Sequence, residues 1–162
     1  MAGRAIGIVR AIDAGATHIE VRHASPRDLP ALRILQRRCF PEDQAYGFGT
    51  LLVLFLWRRV KILVAWDGER VAGCVVGDVN GTREQARILN ICVDPECRRL
   101  GIGTALLSAA EEVLGAGDVM LMVEDKNLGA QELYRRQGYL PVSDLRDYYG
   151  KNRHGILMQK KR

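Results

Sequence analysis

Two arginines and two glycines stand close together at Arg98, Arg99, Gly101 and Gly103, just before a segment whose apolar residues have helical spacing. A glycine lets a ligand oxygen approach the main chain because no Cβ stands in the way. The first N–H groups of a helix have no intrahelical acceptor, and the helix dipole adds partial positive charge there. Guanidinium groups pair with phosphate oxygens through charge-assisted hydrogen bonds. The pattern therefore predicts a turn that binds a phosphate group.

The spacing of these residues differs from that of two common phosphate-binding motifs. A P-loop requires G-x-x-x-x-G-K-[ST], and a dinucleotide-binding turn requires G-x-G-x-x-G with an acidic residue about 20 positions later. Neither pattern occurs around this turn. Taken alone, the two glycines also fit a tight strand-to-helix turn that binds no ligand.

Hydrophobic periodicity predicts the elements that position the turn. The segment from His18 to Ala24 alternates apolar and polar residues as a strand does, and Ser25-Pro26 is typical of the start of a helix, here expected to reach about Arg38. Asp67-Gly68 is a strong hairpin signal. Hairpins in the first half and strand–helix alternation in the second predict a mixed α/β sheet. The other predicted elements are helices over 44–58, 102–114 and 127–137, and strands over 61–66, 70–78, 86–93, 118–124, 139–146 and 155–160.

Length and composition limit the class of protein. A chain of 162 residues, 48% of them apolar, is long enough for one packed core, which we expect over residues 17–162. We expect the Ala/Gly-rich residues 1–16 to form a poorly ordered extension. The formal charge of +5 favours anionic partners only mildly.

The sequence also bears on the compartment. It contains neither the apolar core of a signal peptide at its start nor an apolar run of the roughly 20 residues that span a bilayer, so we expect a cytoplasmic protein without a membrane contact. Cys39, Cys74, Cys92 and Cys97 lack the spacing of a metal site or of a disulfide framework. We therefore expect free thiols and no metal.

Two longer stretches, "LNICVDPECRRLGIGTALL" and "EDKNLGAQELYRRQGY", resemble the acetyl-coenzyme A motifs of the GNAT acetyltransferase superfamily. The matching residues are Val93-Asp94-Pro95, Arg98 with Gly101 and Gly103, Asn127, Tyr134 and Gly138-Tyr139. The resemblance covers most of residues 17–162. It implies a central, mostly antiparallel sheet that is splayed at the acetyl-coenzyme A site and flanked by about four helices.

The resemblance also implies where the cofactor lies. Pantetheine would insert between the strands that end near Val93 and Glu124, and the pyrophosphate would lie on the amides of residues 98–103. A backbone N–H near Val93 would face the thioester oxygen. The expected cofactor-binding residues are Ile91, Cys92, Val93, Arg98, Arg99, Leu100, Gly101, Ile102, Gly103, Thr104, Asn127 and Tyr134.

Two further segments resemble the members of this superfamily that acetylate protein N-termini, including RimI and the catalytic subunit of NatA. They are "CFPEDQAY", residues 39–46, and "RDYYG", residues 146–150. The resemblance implies a peptide that enters end-on between these two loops, in proximity to ribosomes and nascent chains. We expect no nucleic-acid binding, and we expect a monomer or a weak dimer. The expected substrate-binding residues are Phe40, Pro41, Glu42, Tyr46, Tyr148 and Tyr149.

The acid–base residues depart from those of relatives. Met122 stands where RimI has a glutamate, and Arg87 stands where some relatives have a histidine. The expected catalytic residues are Glu42, which takes the ammonium proton through water, Asn90, which holds a water, and Tyr134, which protonates the leaving thiolate.

Several alternatives remain open at this point. Glu42 also fits an ordinary first-turn helix acid, and Tyr134 a core aromatic. The enzyme could instead acetylate lysine side chains or small amines, or the chain could be a non-catalytic acyl-coenzyme A-binding module. Because an α-amine is neutral far more often than a lysine near pH 7, a site with a poor base favours the N-terminus.

Overall fold

The computed structural model describes residues 7–79, 84–115 and 117–162, and it contains one eight-stranded sheet with helices on both faces. The strands are β1 (Ile8–Ala14), β2 (Thr17–His23), β3 (Val60–Trp66), β4 (Val71–Val79), β5 (Gln85–Val93), β6 (Asp118–Glu124), β7 (Leu140–Leu145) and β8 (Gly155–Lys160). The helices are α1 (Leu29–Cys39), α2 (Phe48–Leu56), α3 (Ile102–Leu114) and α4 (Leu128–Arg136), with short 3-10 turns at Pro26–Asp28 and Pro95–Cys97.

The order of the strands in the sheet is β1-β2-β3-β4-β5-β6-β8-β7, and every neighbouring pair is antiparallel except β5 and β6. This parallel pair is short. Its register runs only from Gln85 opposite Asp118 to Ile88 opposite Leu121, so the remainder of each strand is not paired with the other. The predicted mixed sheet, splayed between these two strands, is confirmed.

Each face of the sheet packs against its own helices. Along β6 the buried residues alternate with half-buried ones, and Val119, Leu121 and Val123 pack with α3 in one apolar cluster. Leu29, Leu32 and Leu35 of α1 pack on the opposite face with residues of β3 and β4. We call this second side the α1/α2 face.

A β-bulge in β5 determines which of its side chains reach the α1/α2 face. Asn90 pairs with Val76 and Ile88 pairs with Gly77, so Leu89 is the extra residue between them. A bulge re-aims side chains because two residues oppose one on the partner strand. Leu89 and Asn90 therefore both contact residues of the α1/α2 face: Leu89 lines a cavity with residues of α2, and Asn90 bonds to Gln36 of α1.

The prediction of a poorly ordered extension over residues 1–16 is wrong for Ile8–Ala14. These residues form the edge strand β1, which pairs with β2, and Ala14 is buried in the core. The half-buried apolar residues Val9 and Ile12 are three positions apart, so the segment lacks the apolar alternation that predicts a strand. Residues 1–6 of that prediction lie outside the described residues.

None of the helices in the described part of the chain is long and apolar enough to cross a membrane.

Candidate active site

The turn before α3 presents a row of unpaired amides. The N–H of Cys97 donates to the oxygen of Asp94, at 2.8 Å, and the N–H of Ala105 donates to the oxygen of Gly101, at 3.0 Å. Among the described residues, none accepts a hydrogen bond from the amides of residues 99–104. Gly101 has a φ of 80°, a conformation that glycine adopts without strain. These amides, at the positive end of α3, are suited to bind an anion.

The predicted cofactor arginines flank this turn. Arg98 donates from Nε to the carbonyl oxygen of Val93, at 3.3 Å, which places its guanidinium at the end of β5. Arg99 is exposed. Gly103 lies against α4: a Cβ at this position would be 3.2 Å from Cδ2 of Leu133. The structure therefore brings the predicted phosphate-binding residues, including Leu100, Ile102 and Thr104, together in one turn at the end of β5.

The opening between β5 and β6 exposes main-chain groups of β5. Asp94 donates its N–H to Ala72 of β4, at 2.8 Å. Because successive residues of a strand direct their N–H groups to opposite sides, the N–H of Val93 points away from β4 into the opening. Ile91 has the same orientation as Val93. A pantetheine chain requires such unpaired strand groups, so the residues present fit coenzyme A.

Cys92, also expected at the cofactor, lies differently. It is buried among α1/α2-face residues, and its Sγ is 3.5 Å from Sγ of Cys74. Only its main chain borders the opening. All four cysteines are free. Cys39 donates from Sγ to the oxygen of Val93, at 3.4 Å, and a hydrogen bond from Cys92 together with the charge of Arg98 lowers the pKa of Cys39.

Asn127 and Tyr134 both belong to helix α4: Asn127 precedes its first residue and Tyr134 lies in its last turn. Asn127 caps α4, because its Oδ1 accepts from the N–H of Ala130 at 3.1 Å. Tyr134 is 5% exposed, and its hydroxyl has no hydrogen-bond partner among the described residues. Burial raises the pKa of Tyr134 well above its usual value, and the nearby Tyr149 and Cys92 add to this effect. The phenol therefore remains protonated at neutral pH.

Asn90 is fixed by a residue that the sequence analysis missed. Gln36 is fully buried, and its Nε2 donates to Oδ1 of Asn90 at 2.8 Å. Asn90 donates back to Oε1 of Gln36 at 3.2 Å, and the same oxygen accepts from the N–H of Tyr46 at 3.3 Å. A polar residue on the apolar stripe of Leu29, Leu32 and Leu35 was the available signal.

Two loops that carry tyrosines lie on either side of the β5 residues Leu89 and Asn90 on the α1/α2 face. The Tyr46 hydroxyl donates to the carbonyl oxygen of Leu89, at 3.5 Å. On the other side, Tyr148 packs on Gly155, where a Cβ would be 3.0 Å from Cβ of Tyr148 and 2.9 Å from Sδ of Met122. Burial, with the nearby Tyr148, Glu124 and Tyr46, raises the pKa of Tyr149 to about 12. We call the space bounded by these residues and Asn90 the acceptor site.

A second missed residue, Arg153, joins the two loops. Its guanidinium forms a fork with Glu124, with N···O distances of 2.9 and 3.0 Å, and its third nitrogen is 3.3 Å from Asp43. The loop over residues 40–47 is thereby linked to the loop over residues 146–154. The ion pair also occupies both oxygens of Glu124.

Glu42 is not brought to the acceptor site by any described contact. Its side chain is 93% exposed and lies 3.6 Å from Arg37. In the same loop, Pro41 is exposed and Phe40 packs against the core of the α1/α2 face. The positions where relatives have bases hold unsuitable groups, because Met122 is a thioether and Arg87 forms a fork with Asp78. Among the described residues, the strand positions Arg87, Asn90 and Met122 thus provide neither a carboxylate nor a histidine, and the carboxylate near Tyr149, that of Glu124, has both oxygens bound by Arg153.

A sheet that opens beside a parallel strand pair, next to an amide-lined turn at the start of a helix, defines an acyltransferase that uses an acyl-coenzyme A. The chain belongs to the acetyltransferase (GNAT) family, whose model matches residues 29–139, and members of this family use acetyl-coenzyme A.

Three similar proteins agree with this assignment. The chain is 32% identical over 148 residues to an uncharacterized N-acetyltransferase of Methanocaldococcus jannaschii, covering 88% of this chain and 91% of that protein. It is 30% identical over 156 residues to an N-alpha-acetyltransferase of Sulfurisphaera tokodaii, covering 85% and 90%. The crystal structure of Ard1 from Thermoplasma volcanium matches with a TM-score of 0.79 at 26% identity, covering 88% of this chain and 97% of that one.

Proposed function

We propose that this acetyltransferase transfers the acetyl group to the α-amine of peptide and protein N-termini in the cytoplasm. The observation that carries the proposal is the acceptor site, which is bounded by two linked tyrosine-bearing loops and, in the part of the chain that the structure describes, has no free carboxylate or histidine on the strand residues between them. The similarity of the chain to an archaeal N-alpha-acetyltransferase supports the same acceptor class. Nascent chains near the ribosome are the proposed substrates, and we expect the enzyme to act as a monomer or weak dimer.

The pKa of the acceptor explains why a weak base is sufficient. An α-amine with a pKa of about 7.7–8.0 is neutral in roughly a tenth of molecules at pH 7, which costs about 1 kcal/mol. A lysine side chain with a pKa of about 10.4 is neutral in about four of ten thousand molecules, which costs about 4.6 kcal/mol. A site without a buried base therefore favours the α-amine.

Each residue of the acceptor site has a proposed part in the reaction. Bound acetyl-coenzyme A supplies the acetyl group as a thioester. Asn90 keeps one N–H and one lone pair free of Gln36, so it can orient a water beside the amine. The N–H of Val93 points to the position where negative charge develops on oxygen. Tyr134 would donate its hydroxyl proton to the departing sulfur and would regain a proton from water after the thiol has left. Because burial raises the pKa of the phenol, this transfer is uphill and would be completed only as the carbon–sulfur bond breaks.

Glu42 is the proposed proton acceptor, acting through water from its exposed position. Because deprotonation of the α-amine costs only about 1 kcal/mol at pH 7, a base at this step accelerates the reaction by at most about tenfold. Glu42→Gln should therefore lower kcat/KM by up to about tenfold at pH 7 and have no effect at pH 9. A loss that persists at pH 9 would give Glu42 a different role, and an unchanged rate at pH 7 would remove it from the mechanism.

Mass spectrometry of paired peptides tests the acceptor class. One peptide has a free Ser or Ala N-terminus and no lysine, and its partner has a blocked N-terminus and one internal lysine. Acetylation of the first peptide alone is the expected result. Acetylation of the second alone would make the protein a lysine acetyltransferase. No reaction on either would favour a small amine acceptor or a non-catalytic acyl-coenzyme A-binding module.

A further inference from the structure

A cavity of about 530 Å³ lies on the α1/α2 face, at the opposite end of β5 from Val93. Apolar side chains line it together with a few charged and polar ones, as in pockets that bind ligands. The residues that line it are Leu54, Trp57, Arg59, Val60, Asp78, Val79, Gln85, Arg87 and Leu89.

This cavity continues the acceptor site. Gln85, Arg87 and Leu89 point to one face because they alternate along β5, and the bulge keeps Asn90 on that face as well. Leu89 belongs to both sites, since its carbonyl oxygen accepts from Tyr46 while its side chain lines the cavity. An extended chain that leaves the acceptor site along β5 would therefore reach this cavity.

The length of β5 sets which acceptor residues would reach the cavity. A strand rises about 3.3 Å per residue, so Leu89 is roughly 13 Å and Arg87 roughly 20 Å from Val93. An extended peptide covers these distances with about four and about six residues after the first. A peptide whose α-amine lies beside Val93 would therefore place about its fifth to seventh residues in the cavity.

The charges of the cavity favour an acidic side chain. Arg87 is neutralised by its fork with Asp78. Arg59 is exposed and has no ion-pair partner in the part of the chain that the structure describes. One uncompensated positive charge thus stands beside the apolar wall formed by Leu54, Trp57 and Leu89.

We propose that this cavity is a distal specificity site that binds the fifth to seventh residues of the acceptor polypeptide and favours an acidic side chain next to an apolar one. The inference rests on the proposed N-terminal acceptor. It makes Arg59 a specificity-determining residue that lies away from the reacting atoms. The distal site should therefore change KM for the peptide and leave kcat unaltered.

Steady-state kinetics on matched peptides test the distal site. The peptides share their first four residues and carry Leu-Glu, Leu-Gln or Leu-Lys at positions 5 and 6. We expect KM to rise about two- to fivefold from Glu to Lys, the range of one partly exposed ion pair. Arg59→Glu should reverse this order. Arg58→Glu, which makes the same charge change on a neighbouring exposed residue that does not line the cavity, should keep it.

Two outcomes overturn the distal site, and both are distinct from a failure of the proposed function. Equal KM values for the three peptides, or equal effects of Arg59→Glu and Arg58→Glu, would exclude it even if every peptide is acetylated on its α-amine. If no peptide is acetylated, binding decides the question, because Trp57 is 59% exposed and lines the cavity. Acidic peptides should then change tryptophan fluorescence in the parent protein and not in Trp57→Phe, and no change in either would overturn the inference.

Discussion

Removing the amide of Gln36 should destabilise the protein and loosen the acceptor site together. Gln36→Met keeps the length of the side chain and removes the two hydrogen bonds with Asn90 and the one from the N–H of Tyr46. It also removes two weak bonds that Nε2 donates to Sγ of Cys74 and Cys92. A buried polar group left without a partner costs about 1–3 kcal/mol. Since Asn90 is half-buried and regains water, we expect a total loss of about 2–4 kcal/mol. In a chain of this length, this corresponds to a fall in Tm of about 5–15 °C.

Urea unfolding of four proteins measures this effect and assigns it to the Gln36–Asn90 pair. The proteins are the parent, Gln36→Met, Asn90→Leu and the double variant. Replacing both partners by apolar groups is less costly than removing one, so the double variant should lose at least about 1 kcal/mol less than the sum of the single losses. Arg33→Met, at an exposed position of α1, is the control and should lie within about 0.5 kcal/mol of the parent. Additive losses, or a Gln36→Met variant as stable as the parent, would refute the reasoning.

Three further predictions concern other parts of the site. Gly155→Ala should raise KM for peptides at least about fivefold and leave acetyl-coenzyme A affinity unchanged. The reason is that the new Cβ would meet Met122 and the Cβ of Tyr148, which cannot yield without moving its loop. A parallel loss of cofactor affinity would contradict this prediction. Because burial raises the pKa of Tyr149 to about 12 from about 10, its contribution to stability is complete below pH 10 and is lost as pH rises through 12. Stability measured in urea from pH 9 to 11.5 should fall less steeply in Tyr149→Phe than in the parent, and equal slopes would argue against this. Acetyl-coenzyme A at 100 times its Kd should stabilise the parent by about 2.7 kcal/mol. Gly101→Val forces a β-branched residue to a φ of 80°, so this variant should require more ligand for the same rise in Tm.

Elements with strong local signals were predictable from the sequence. α3 and β6 begin and end at the predicted residues, because a long amphipathic helix and an alternating strand carry their own periodicity. α2 is shorter than the predicted 44–58, since the N–H of Tyr46 bonds to Gln36 instead of continuing a helix. β1 was missed because an edge strand with one buried residue, Ala14, has little apolar signal.

The site residues, too, were predictable only where the signal lies within one short stretch of sequence. The amide-lined turn was predictable because its glycines and arginines are neighbours in sequence. Gln36 and Arg153 were not, because their partners are distant: Asn90 is 54 positions from Gln36, and Asp43 is 110 positions from Arg153. Such pairs are defined only when the sheet brings the loops together. The exposed position of Glu42 was likewise invisible, because a first-turn acid and a catalytic acid look alike in sequence.

An internal competition tests the central proposal most directly. One peptide with a free N-terminal serine and a single internal lysine is incubated with the enzyme and acetyl-coenzyme A at pH 7, and tandem mass spectrometry follows each acetylated amine over time. The free-base fractions of the two amines differ by roughly 250-fold, so α-acetylation should exceed lysine acetylation by at least about 50-fold. Lysine acetylation at an equal or greater rate would contradict the proposal, because it would require a base that the acceptor site does not contain among the described residues.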